Sequence, residues 1–134
     1  MKISAIVKSE FNQHQIKVET DGSSKQVDIA PKPEGYGSSV NGGEMLLLAL
    51  ATCFCNDIYR EAAQRNIKVS GVEVICTADF GAAGEAGNNF RYKANVISDA
   101  SASEIEELIM HTDQIAEIHN TLRKGVQVTW AGQL

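Results

Sequence analysis

Residues 42–66 read GGEMLLLALATCFCNDIYREAAQRN, and the fold is decided by how this stretch is read. It holds no proline, and its only glycines, Gly42 and Gly43, stand at the start. That pattern predicts one helix of about 25 residues, roughly 37 Å long. A compact chain of this size has a radius of gyration of about 14 Å, so such a helix crosses the whole body. Met45, Leu46, Leu47 and Leu48 step about 100° apiece and point in all directions. A helix apolar on every side must be covered on every side. The apolar run is shorter than the roughly 18 residues that span a membrane. The second half is one-sided: Ala51, Cys55, Ile58, Tyr59 and Ala62 form the expected buried stripe, with Asp57, Arg60, Gln64 and Arg65 elsewhere.

The two helix cysteines differ in setting. Cys55 lies on the expected apolar stripe. Cys53, two residues earlier, shares a face with Asp57 and Arg60, and helical side chains lean toward the N-terminus. The C-x-C spacing cannot close a disulfide within a helix, because the sulfurs diverge.

Outward from the helix, the preceding segment reads as three antiparallel strands. Lys2–Ser9 alternates with Ile3, Ala5 and Val7 on one face, and His14–Thr20 places Ile16 and Val18 inward. Asp21-Gly22-Ser23-Ser24 is a turn signal, and Gln26–Ala30 the third strand. Residues 31–42 hold both prolines and Gly35, Gly37 and Gly42; they read as a connector or the rim of a pocket. Gly35-Tyr36-Gly37 is not a dinucleotide fingerprint, since no strand–turn–helix unit surrounds it. After the helix, Lys68–Phe80 and Phe90–Ser98 alternate around the glycine-rich turn 81–89 and form a long hairpin. Val72, Val74, Cys76, Ala78 and Phe80 share one face, as do Phe90, Tyr92, Ala94 and Val96. Ser103 with Glu106 fits a capping box opening a second helix. The helical pattern runs to Lys124, with a break near Thr112, and Gly125 suits the residue after a helix end. Val126, Val128 and Trp130 read as a last strand.

The order β-β-β-α-β-β-α-β defines an α+β fold of antiparallel sheets around a long central buried helix, with a second C-terminal helix, as one domain over residues 1–134. One subunit cannot wrap a helix that is apolar all round, so an intertwined homodimer is expected, with the 42–66 helices side by side.

Composition narrows the function. The chain has 134 residues, 43% of them hydrophobic, with net charge −5 and scattered basic residues, which speaks against nucleic acid. The opening MKISAIVKSE lacks the apolar core of a signal peptide, and three cysteines match no secreted scaffold. The expectation is a cytoplasmic protein with reduced thiols and no membrane segment. No Ser-His-Asp pattern, P-loop or HExxH occurs, and no cofactor is implied. His111 and His119, eight apart, are a poor metal pair, so no metal is expected; His119 acting on a thiol across a dimer is one role left open. Cys53 is the candidate nucleophile: it faces the polar side, with Arg60 two turns on, while Asp57 opposes thiolate formation. Cys55 and Cys76 read as core residues.

The run Glu44-Met45-Leu46-Leu47-Leu48-Ala49-Leu50-Ala51-Thr52-Cys53 resembles the helix signature of the OsmC-like family. Ile118-His119-Asn120-Thr121-Leu122 resembles its C-terminal segment. The resemblance covers nearly the whole chain and implies an intertwined dimer. It also implies thiol peroxidase chemistry on organic hydroperoxides. A helix cysteine attacks, a second cysteine on the later helix resolves, and an arginine and a glutamate hold thiolate and substrate. Carried over, the attacking residue is Cys53 and the resolving position falls at Ala116. The glutamate position falls at Gly43, beside Glu44. No arginine precedes Arg60, leaving Lys8 or Arg60 as substitutes. Two functions follow from it: a one-cysteine peroxidase closed by an external thiol, or a non-catalytic relative binding a small apolar ligand at the dimer interface.

Overall fold

The computed structural model describes residues 1–133. Its order is β1 (Ile3–Glu10), β2 (Gln13–Thr20), β3 (Ser23–Val27), α1 (Gly42–Gln64), β4 (Val69–Asp79), β5 (Asn88–Ser98), α2 (Ala102–Ile115) and α3 (Glu117–Lys124). The fold is α+β, with antiparallel sheets β1-β2-β3 and β4-β5. Two compact units divide it, Met1–Met45 and Leu46–Leu134.

In the first unit both hairpins turn through two residues. Asp21 and Gly22 take φ of 46° and 84°. Two successive left-handed residues match the right-handed twist of the strands they join. Pairing therefore resumes at once, Thr20 opposite Ser23, and β3 begins three residues earlier than the composition of 21–24 implies. Val7 pairs with Ile16, and Ile16 with Val27, so the apolar side chains meet across the sheet. The connector is tied back to this hairpin. The Asn12 N–H donates to the Gly35 carbonyl, the Gly37 N–H donates to Ser9 Oγ, and the Phe11 and Tyr36 rings meet edge-on at 5.4 Å.

Helix α1 opens on a cap formed by Asn41 and Glu44. The Asn41 N–H donates to the Glu44 carboxylate (2.7 Å), and the Glu44 N–H donates to Asn41 Oδ1 (2.9 Å). The sequence offers Glu44 as a site residue; its carboxylate here accepts from the Asn41 N–H at the helix cap.

The second unit has one core: Phe54, Ile58, Ala62, Leu108 and Ala116, lined by Val72, Val74, Tyr92, Ala94, Val96 and Ile109. The buried stripe of α1 is rotated from the expected one. It runs through Leu50, Phe54, Asp57, Ile58, Glu61 and Ala62, while Tyr59 is 43% exposed and Cys55 half-buried. Hydropathy alone misplaces it because two carboxylates lie inside, which is tolerated only where they are paired. The 42–66 helix is also not covered all round within one chain, since Leu48 is 60% exposed.

Three further expectations are corrected. The α2 cap is Ser101 with Glu104, not Ser103 with Glu106; the S-x-x-E spacing occurs twice, two residues apart. The break falls at Ala116, in extended conformation, not near Thr112, whose hydroxyl donates to the Leu108 carbonyl inside α2. Residues 126–130 form no strand: Val126, Val128 and Trp130 are exposed, with no strand edge paired to them among the described residues. Gly125 ends α3 in the left-handed conformation, as its position predicts. Among the described residues no helix is long and apolar enough to cross a membrane.

Candidate thiol site

Cys53 sits where α1 meets the start of α3. Its S–H donates to Asp57 Oδ2 at 3.5 Å, one turn along the same helix, and Glu117 Oε2 lies 4.0 Å away. The kink at Ala116 starts α3 at this point and brings the Ile118 backbone N–H near enough to the sulfur to favour its charged form. Burial pushes the thiol pKa up, and the Asp57 and Glu117 charges push the same way; only the Ile118 N–H favours the thiolate. Asp57 is 3% exposed, and that burial raises its own pKa despite the bond from Cys53 and the nearby Arg60. A carboxylate made more basic beside a thiol can take its proton during reaction.

Arg60 binds this group together. Its guanidinium reaches Asp57 at 2.8 Å, Glu61 at 3.0 Å and Glu117 at 3.8 Å. The Glu61 hydrogen bond raises the arginine pKa, and Arg60 in turn lowers that of Glu61. Glu61, 5% exposed, also meets His111 Nε2 at 3.1 Å. The ligand atoms of Cys53, Asp57 and Glu117 lie within 4.8 Å of one another, a spacing that fits a cation. Arg60 already supplies positive charge there.

Of the sequence candidates, the structure brings Cys53 and Arg60 into one network and leaves Glu44 at the helix cap. The separation of His111 from His119 follows from the break at Ala116. His111 joins the carboxylate network, whereas His119 is 5% exposed and packs on Tyr92 (4.6 Å) and Phe54 (5.5 Å). Neither nitrogen of His119 has a hydrogen-bond partner, and burial lowers its pKa. All three cysteines are free; Cys55 and Cys76 are half-buried, and burial raises the pKa of Cys76. Sequence reasoning missed Glu61 and Glu117. Glu61 is one turn beyond Asp57, a spacing that marks one helix face; nothing in the sequence placed Glu117 beside Cys53.

The chain thus runs from a hairpin sheet through a long helix carrying Cys53 to a second hairpin and a kinked helix pair. A family model described as OsmC-like protein matches residues 35–131, and the chain belongs to the OsmC-like family. No curated protein matches it significantly in sequence. Among solved structures, an OsmC-like protein from Mycoplasma pneumoniae has TM-score 0.62 and 22% identity over 93% of this chain and 87% of that one. An OsmC-like hydroperoxide resistance protein from Jannaschia sp. has TM-score 0.57 and 13% identity, covering 94% and 90%. An organic hydroperoxide resistance protein from Elizabethkingia anophelis has TM-score 0.57 and 14% identity, covering 91% of each chain. At these identities the likeness is one of fold.

Proposed function

We propose that the protein is a one-cysteine thiol peroxidase for small organic hydroperoxides, acting as a homodimer. The observation that supports it is the Cys53–Asp57 pair, with Arg60 across the carboxylates. Asp57 takes the thiol proton as sulfur attacks the outer peroxide oxygen. The O–O bond breaks, and the leaving alkoxide takes the proton and departs as alcohol. Cys53 is left as sulfenic acid. An external thiol condenses with it, releasing water and forming a mixed disulfide. A second thiol then frees Cys53 and leaves as the external disulfide. Ala116 stands where the family places its second cysteine, so the resolving sulfur must come from outside.

The non-catalytic reading has its own support. Two carboxylates within 4.0 Å of the sulfur and a raised thiol pKa oppose the nucleophilic form. Cumene hydroperoxide consumption with dithiothreitol, corrected for the uncatalysed rate, separates the two. The peroxidase reading expects turnover that rises with pH, disappears in Cys53→Ser and persists in Cys55→Ser. Wild-type consumption no faster than Cys53→Ser would sink it and leave ligand binding as the function.

A further inference from the structure

We propose that the cavity between β5 and α3 is a binding site for a small apolar carboxylate. It measures about 360 Å³, at the lower end for ligand pockets, which suits a short chain or single ring rather than a long lipid. Leu50, Phe90 and Leu122 give it apolar walls. His119 also lines it. Both ring nitrogens are enclosed and its pKa is lowered by burial, so the ring presents an uncharged aromatic surface.

Two arginines, Arg91 and Arg123, are also among its lining residues. Arg123 is already neutralised: its guanidinium pairs with Asp113, which also accepts from Tyr92. Arg91 is exposed and has no ion pair among the described residues. One uncommitted guanidinium beside apolar walls matches a monoanion with a planar, two-oxygen head, which is the geometry of a carboxylate. A dianionic phosphate would have one unpaired charge and Asp113 nearby. Cys53 is not among the lining residues, so this site stands independently of the peroxidase reading.

Octanoate, octanol and octyl phosphate are the probes, titrated calorimetrically into the full chain below their aggregation concentrations. Octanoate is expected to saturate at one site per chain and to bind at least tenfold tighter than either of the others. Arg91→Gln brings octanoate down to the level of octanol. Leu122→Trp, at a position 38% exposed and able to hold a larger side chain, blocks both. The ring C–H signals of His119 shift on octanoate addition, and those of His14 on β2 do not. Any of three results overturns the proposal: no saturable octanoate binding, no preference over octanol, or affinity unchanged in Arg91→Gln, which alters only an exposed side chain.

Discussion

The Cys53 sulfur has four influences on it, and only one favours its charged form. Burial and the Asp57 and Glu117 carboxylates hold the proton on; the Ile118 N–H works the other way. Iodoacetamide labelling of Cys53 is therefore expected to be slow at pH 7 and to rise with a midpoint above the ordinary thiol value of about 8.5. Asp57→Asn removes a negative charge and should move that midpoint down and speed labelling at pH 7. An unchanged midpoint in the variant would mean that Asp57 does not govern the thiol. His119 gives a second residue-scale prediction. It is buried with unmet nitrogens; burial depresses its pKa, Arg123 adds to this, and Asp113 and Asp57 oppose it. A depressed histidine pKa means that the fold prefers the neutral ring. Its contribution to stability is complete above about pH 6.5 and is lost as pH falls through the lower folded value. His119→Phe should remove that loss and, by relieving an unsatisfied polar group, add about 1 kcal/mol at neutral pH in urea unfolding. A variant that unfolds with the same pH profile as wild type would refute this.

Helix ends carry the element-scale argument. Ser101 accepts from the Glu104 N–H, and the Glu104 carboxylate accepts from the Ser101 N–H, closing both ends of the box. Ser101→Ala should lower stability by about 1 kcal/mol, while Ser103→Ala, already inside the helix, should change it by less than about 0.5 kcal/mol. Equal effects would place the cap where the sequence alone put it. Position is what the sequence left open here, because Ser101 and Ser103 each precede a glutamate by three residues. Elements with a single periodicity were legible: α1, the β4–β5 hairpin and the face joining Cys53 to Asp57 follow from spacing. The kink at Ala116 was not, since alanine is a good helix former and gives no local signal. The Glu117 approach to Cys53 depends on that kink and was hidden with it. The segment 126–130 shows the converse: Val126, Val128 and Trp130 alternate as a strand does, but a strand needs an edge, and pattern alone supplies none.

Across the described chain, many large apolar side chains stand in water. Leu48 on α1 is 60% exposed, Ile3 63%, Val128 94% and Trp130 82%. In the first unit only Ile16 counts as a buried hydrophobic residue. Exposed leucines scattered singly mean little, but Leu48 belongs to the run Met45–Leu50, where an apolar side chain faces every direction. In the proposed homodimer a second copy's α1 would lie alongside this run, since a two-fold axis would place the same stripe on both sides of the contact. Burying one leucine is worth roughly 1.5–3 kcal/mol, and the two-fold axis counts it twice. Leu48→Glu replaces that gain with two like charges at the seam. Sedimentation velocity should therefore give a dimer for wild type at micromolar concentration. For Leu48→Glu it should give a monomer or a dimer weakened at least a hundredfold. Within one chain the same side chain is already mostly wet, so it contributes little to the core around Phe54, and hairpin β4–β5 should keep its amide protection in the variant. A wild-type protein that stays monomeric and folded at micromolar concentration would refute the dimer, and Leu48 would then be an exposed leucine without a partner.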